Sequence, residues 1–281
     1  MKKRLLLACM AILAGCGKKE STPNALLLHV GGTMGPVFAE LAKSYTAQTG
    51  KEVQINMADS GELLANIELQ AEGDLYVCHD PFLDIIMRKG LAVDGWTLAE
   101  LYPVIVVQRG NPKNIQGLED LTRNDVQLAL TDYNLSTLGH MLPTVFAKAG
   151  IDLDQLTERK NILIHRSGSH VANLVAMKSA DAALVWNAVW YLRKDKLDRI
   201  EIDKYLPKPH VDGITSATGK RYVLAPVRVS ICSLKCSSNP QEARKFMKFA
   251  TSARARTIFE NHGFRVPANL RRQEYCNGKK Q

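Results

Sequence analysis

An apolar strand that ends in a hydroxyl-bearing turn and then opens a helix recurs along this chain, and that repetition constrains the fold more than any other feature. Residues 29–41 read HVGGTMGPVFAEL directly after Leu26, Leu27 and Leu28: a short strand, a glycine-rich turn, and a helix begun by Pro36. Val37 or Phe38, Leu41, Tyr45 and Gln48 fall at helical spacing, and Gly50 ends that helix. Glu52 to Met57 alternates polar and apolar as a strand should. Ala58-Asp59-Ser60-Gly61 then leads into a helix carrying Leu63, Leu64, Ile67 and Ala71, with Ser60 placed to cap it. Asp74 to Cys78 is a third strand, ending at His79-Asp80-Pro81 before another helix.

The pattern restarts after the buried run Tyr102 to Val107, read as a crossing between domains. Gln127 to Thr131 is a strand, and a polar turn from Asp132 to Gly139 enters a helix that stops near Gly150. Asn161 to His165 is followed by Arg166-Ser167-Gly168-Ser169 and a helix through Val171, Leu174 and Val175. Ala182 to Trp186 is another strand. Tyr222 to Ser230 reads as a second crossing, and Asn239-Pro240 opens a helix whose Phe246, Phe249 and Ala250 can pack inward. Such an order predicts an α/β chain of two lobes, each a mainly parallel sheet flanked by helices. Residues 26–105 and 226–281 form the first lobe and 106–225 the second.

In a parallel sheet the strand-to-helix turns share the carboxyl edge, where open α/β folds bind ligands. Two such edges facing each other make a cleft lined by hydroxyls and helix N-termini, which can cradle an anion without a lysine. Nucleotide motifs are missing from the first turn. No GxxxxGK[ST] is present, and glycines at 31, 32 and 35 do not make GxGxxG.

Residues 1–15 read as a leader rather than as fold. Lys2, Lys3 and Arg4 precede an apolar stretch, Leu5 to Ala14, far shorter than the ~20 residues a spanning helix needs. Leu13-Ala14-Gly15-Cys16 resembles the lipobox of bacterial lipoproteins, which implies lipid on Cys16 and a chain exported and held to a membrane of the cell envelope. Residues 16–25 are a polar tether. Removing 15 of 281 residues leaves 266, enough for one large α/β domain or two ordinary ones. The net charge is +9, but the densest basic clusters, Arg193 to Arg199 and Arg271 to Lys280, lack interleaved stacking aromatics. They read as solvated faces and not as a nucleic-acid site. Beyond Cys9 and Cys16, the cysteines Cys78, Cys232, Cys236 and Cys276 allow three complete pairings, and export permits a disulfide.

At this point the chain resembles the molybdate-binding proteins of ABC importers, within the type II periplasmic solute-binding fold. The resemblance rests on Gly32-Thr33-Met34 with VFAELAKSYTAQTG, on Ser60-Gly61-Glu62-Leu63, on GDLYVCHD, on LALTDYNLSTLGHMLPTVFAKAG, on SGSHVANLVAMKSADAALVWNA and on IFENHGF. It implies a monomeric binding protein that passes a tetrahedral oxyanion, molybdate or tungstate first, to an ABC permease, with no catalysis and no cofactor. It carries ligand contact onto Thr33, Ser60, the backbone of Leu138, the backbone of Val171, and Trp186. Trp186 stands where the family has a tyrosine, and tryptophan offers one N–H and no hydroxyl, so that role passes to Asn187. Pro143 is a second departure, several residues inside the expected helix, where proline kinks or breaks it.

Two other readings remain. His79 and His170, in or beside cleft turns, suit a metal species or another anion in the same fold, although no HxxxH or CxxC spacing accompanies them. Ser60 as the nucleophile of an exported lipoprotein hydrolase lacks the GxSxG elbow, since its string is ADSGE. Asp80 and Asp84, one helical turn apart, are expected to cap the helix after Pro81.

Overall fold

The computed structural model describes residues 25–133, 138–165, 167–207, 213–215, 221–223, 227–276 and 279–280. The leader, Cys16 and all but the last residue of the tether lie outside these. Among the described residues no helix is long and apolar enough to cross a membrane.

The first part of the chain runs β1 (Leu26–Gly31), α1 (Gly35–Thr49), β2 (Val53–Ala58), α2 (Ser60–Gln70), β3 (Leu75–His79), α3 (Phe82–Arg88) and β4 (Ala92–Leu101). The second part is β5 (Pro103–Gln108), β6 (Leu128–Thr131), α4 (Leu142–Lys148), α5 (Leu153–Thr157), β7 (Ile162–His165), α6 (Gly168–Ala176), β8 (Ala182–Trp186), α7 (Asn187–Tyr191) and β9 (Leu197–Ile200). A small hairpin of β10 (Gly213–Thr215) and β11 (Arg221–Val223) precedes β12 (Val227–Leu234), α8 (Pro240–Ala250), α9 (Ala253–Asn261), β13 (Arg271–Cys276) and β14 (Lys279–Lys280).

Two larger sheets result. One has the order β14-β13-β4-β12-β3-β1-β2 and the other β7-β6-β8-β5-β9. The expected parallel pairing occupies one part of each, β2-β1-β3 and β7-β6-β8. The other pairings are antiparallel, so both sheets are mixed. The parallel triplets matter most for function, because their carboxyl ends carry the turns.

The first change of sheet comes earlier than residue 105. β4 ends in the seven-stranded sheet at Leu101 and β5 begins in the five-stranded one at Pro103, leaving Tyr102 as the single connecting residue. The apolar run Val104 to Val107 is fully buried because it lies inside the smaller sheet, between β8 and β9. It is not shared between the two sheets. On the return, β12 opens in the larger sheet at Val227. Residues 224–226 of the expected second crossing lie outside the described residues.

Packing follows from the helical spacing read in the sequence. Val37, Phe38, Leu41 and Tyr45 of α1 are buried, and Phe38 meets Phe259 of α9 edge-on with ring centroids 5.8 Å apart. Phe246, Phe249 and Ala250 of α8 pack inward as expected, and the Tyr45 hydroxyl donates to the Glu242 carboxylate at 2.6 Å. Burial and that carboxylate push the Tyr45 phenol well above its usual pKa.

Several local expectations are corrected. Pro143 does not kink a helix. A 3-10 turn over Gly139–Met141 precedes α4, which begins at Leu142, so the proline sits in the first turn, where its missing N–H is not needed. Asp59, rather than Ser60, is the N-cap of α2, its carboxylate accepting the Gly61 N–H at 2.8 Å. Asp80 and Asp84 do not cap α3, whose N-cap is Pro81. Both face Arg228. The Arg228 guanidinium donates to Asp80 Oδ1 at 2.7 Å and to Asp84 Oδ2 at 3.2 Å, and its backbone N–H donates to Asp80 Oδ2 at 2.9 Å. Burial alone would lower the Arg228 pKa, but the two carboxylates hold it above the ordinary arginine value. Cys78, Cys232 and Cys236 are free thiols, and burial pushes the first two well above the usual thiol range.

Candidate functional site: a cleft between the two sheets

The carboxyl ends of the two parallel triplets face one another across a cleft of about 390 Å3. That size suits a small solute. One wall is Gly32 and Thr33 after β1, Ala58, Asp59 and Ser60 after β2, and His79 at the end of β3. The other wall is Ser167 and Ser169 at the start of α6, with Ala188, Val189 and Leu192 around α7. Among the described residues no lysine or arginine lines it. The cleft offers hydroxyls, backbone amides, one carboxylate and one imidazole.

Ser60 is the most telling of these. It is only 2% exposed, and its Oγ has no hydrogen-bond partner among the described residues. A buried hydroxyl left unpaired costs about 1–3 kcal/mol, which a bound solute would offset. The residue is held from behind, since the Tyr76 hydroxyl donates to the Ser60 carbonyl at 2.6 Å within the sheet core. Gly31 makes room for it. A Cβ at position 31 would stand 2.4 Å from Ser60 Oγ and 2.6 Å from the Met34 methyl, so only glycine lets the two turns come together. This explains the glycine-rich turn after β1. It permits a close approach and does not form a phosphate loop.

On the other wall, α6 starts with Ser167 as its N-cap, and no side chain caps it. The His170 and Val171 N–H groups already donate to the Ser167 carbonyl, at 3.0 and 3.1 Å. Helix geometry leaves the amides nearer Ser167 and Ser169 as the donors of this helix start that no carbonyl of the helix takes up. Arg193 approaches from outside and donates to the Ser169 carbonyl at 3.2 Å, fixing that turn.

Of the six residues expected to touch ligand, Thr33 and Ser60 line the cleft and the other four do not. Leu138 is buried just before the 3-10 turn, and its carbonyl accepts the Met141 N–H at 2.9 Å. Val171 lies in the core with its amide engaged. Trp186 ends β8 and pairs in register with Pro103. Asn187 is fully buried and braces the connection between the sheets. Its Oδ1 accepts the Tyr102 N–H at 3.1 Å, its own N–H donates to the Tyr102 carbonyl at 3.0 Å, and its Nδ2 donates to the Gly263 carbonyl at 2.6 Å. Asp59, Ser167 and Ser169 were not singled out by the sequence reading, although the strand–hydroxyl–helix rule already marked their turns.

His79 lines the cleft, but His170 does not. It stacks on His165 with ring centroids 4.2 Å apart and planes 13° from parallel. Among the described residues no group of three or more His, Cys, Asp or Glu side chains could hold a metal ion. The His79 Nδ1 lies 2.8 Å from the Asp80 carbonyl oxygen, which can only accept, so Nδ1 carries the hydrogen of that bond.

Two sheets that present hydroxyls and helix starts to one interlobe cleft define a two-lobe solute-binding protein, and known proteins agree. The chain belongs to the bacterial extracellular solute-binding protein family, whose model matches residues 26–265. The family and the fold together make it a solute-binding protein. The Mycobacterium tuberculosis (strain H37Rv) molybdate-binding protein ModA is 24% identical over 270 residues, covering 92% of this chain and 94% of its own. The solved Azotobacter vinelandii periplasmic molybdate-binding protein has a TM-score of 0.65 at 18% identity, covering 86% of this chain and 99% of its own. The sulfate-binding protein SubI of Mycobacterium tuberculosis H37Rv has a TM-score of 0.63 at 18% identity, over 87% of this chain and 88% of its own. These two structures share the fold.

Proposed function

We propose that this chain is the lipid-anchored binding component of an ABC importer and that its cleft captures a small tetrahedral oxyanion for delivery to the permease. The observation that carries this reading is the buried, unpartnered Ser60 hydroxyl at a helix start, set against Thr33 on its own wall and Ser167 and Ser169 opposite. Neutral donors and two helix N-termini suit an anion, and a lining without lysine or arginine among the described residues suits discrimination by geometry. Molybdate and tungstate are the first probes, since relatives named for molybdate span nearly the whole chain, while a sulfate-binding protein of the same fold widens the class. Closure of the two lobes about the solute gives the permease a state to recognise.

A hydrogen bond to a charged ligand contributes about 1.5–3 kcal/mol, so Thr33→Val or Ser60→Ala should weaken oxyanion binding roughly tenfold or more. Calorimetric titration with molybdate, tungstate, phosphate and sulfate measures this, and binding equal to wild type in both variants would refute the site. His170→Ala should bind as wild type does, because that ring lies off the cleft.

Anchoring through Cys16 rests on Leu13-Ala14-Gly15-Cys16 behind a basic, apolar leader. A lipid chain contributes ~0.8 kcal/mol of membrane affinity per buried CH2. Cys16→Ser should leave a soluble or unprocessed chain. A processed Cys16→Ser chain that still sediments with membranes would rule the anchor out.

A further inference from the structure

A carboxylate stands in a cleft built for an anion, and the oxyanion reading does not account for it. Asp59 is exposed on the cleft wall beside Ser60. Its Oδ1 is occupied by the Gly61 N–H at 2.8 Å, and Oδ2 has no protein hydrogen bond among the described residues. A carboxylate accepts hydrogen bonds and donates none. His79 stands on the same wall, its Nδ1 hydrogen committed to the Asp80 carbonyl.

The wall around Ser60 is thus divided. The Ser60 and Thr33 hydroxyls donate, while Asp59 accepts. An anion with bare oxygens all round would satisfy the first set and turn lone pairs toward the second. Among the described residues no lysine or arginine lines the cleft, and that repulsion grows once the lobes exclude water. An anion that keeps a hydroxyl of its own satisfies both sets at once.

We propose that Asp59 sets the ligand class: the cleft prefers a tetrahedral oxyanion bearing at least one O–H, of the hydrogenphosphate type, over one bearing none. This rests on the oxyanion reading above and narrows it. Such a ligand lies with its bare oxygens on Ser60, Thr33 and the opposite serines, and its O–H donates to Asp59. Sites that hydrogen-bond a ligand O–H reject analogues lacking it far more strongly than apolar pockets reject a change of size.

The test uses inorganic phosphate, sulfate and molybdate at neutral pH. Phosphate there keeps at least one proton in each of its forms, and sulfate and molybdate keep none. Calorimetric titration of the mature chain should give phosphate a preference of roughly tenfold or more over the other two. Asp59→Asn and Asp59→Ser both retain an oxygen that can cap α2, so folding is preserved, and a thermal melt verifies it. Asp59→Asn replaces an acceptor by a donor. It should weaken phosphate binding at least tenfold and strengthen sulfate or molybdate binding, inverting the order. Wild type that prefers sulfate or molybdate, or an order unchanged in Asp59→Asn, overturns the role of Asp59 and leaves the oxyanion site standing. No binding of any of the three overturns both.

Discussion

Gly31→Ala should lower oxyanion affinity by about a hundredfold while leaving the protein folded. Position 31 has φ −59° and ψ 138°, a backbone conformation that alanine adopts freely, so the whole effect is steric. The added methyl would lie 2.4 Å from Ser60 Oγ and 2.6 Å from the Met34 methyl. Met34 can shift its flexible end, at an overpacking cost of about 1–3 kcal/mol. Ser60 cannot stay where it is. Its Oγ must swing out of the solute's reach, and the β1 and β2 turns must part, which removes one charge-assisted hydrogen bond and misplaces its neighbours. Calorimetry with the tightest-binding oxyanion, beside a thermal melt, reads both quantities. Undiminished affinity in folded Gly31→Ala would mean that Ser60 does not touch the solute.

Asn187→Leu should produce the largest stability loss, roughly 2–5 kcal/mol, because two buried backbone groups lose their partners at once. The Tyr102 N–H and the Gly263 carbonyl both depend on that side chain. Tyr102 is the only residue between β4 and β5, and Gly263 follows α9, so the amide ties the connection between sheets to the C-terminal helices. Gly263 has φ +77°, and a Cβ there would come within 2.6 Å of Tyr191 Cβ, so this side of the joint leaves no slack. The midpoint of urea unfolding measures the loss. A change below about 0.5 kcal/mol would show that water or another group satisfies those atoms.

The parallel triplets were legible in the sequence because five of their six strands close at or just before Gly, Asp or His and are followed by helical spacing. β4 was missed. Its ten residues include Asp94 and Gly95, which break alternation, and it is recognised only through β12 and β13, its antiparallel neighbours far along the chain. β13 reads RRQEYC, with no apolar pattern to betray a strand. In the cleft, the turns were found but the register slipped. Ser60 was read as the cap when Asp59, one residue earlier, fills that role and leaves the Ser60 hydroxyl without a partner among the described residues. On the second wall, the resemblance pointed to the Val171 amide, whose hydrogen is spent inside α6, and passed over Ser167 and Ser169. Asn187 was assigned a tyrosine's role by adjacency alone. A side chain's neighbour in sequence says little about direction at a strand end, where consecutive residues face opposite ways.

The pairing of Asp80 with Arg228 has a mechanical meaning. Asp80 follows His79, whose ring stands in the cleft, while Arg228 is the second residue of β12, where the chain has just returned to the larger sheet. Five polar contacts lock those two residues: the Asp80 N–H donates to the Arg228 carbonyl at 3.1 Å, the Arg228 N–H donates to Asp80 Oδ2 at 2.9 Å, and the Arg228 guanidinium makes the other three to the same carboxylate. The rivet therefore joins the return strand to the pocket floor. Torque applied where the chain re-enters the larger sheet is delivered one residue from His79 on the cleft wall, with no loop between them to absorb it.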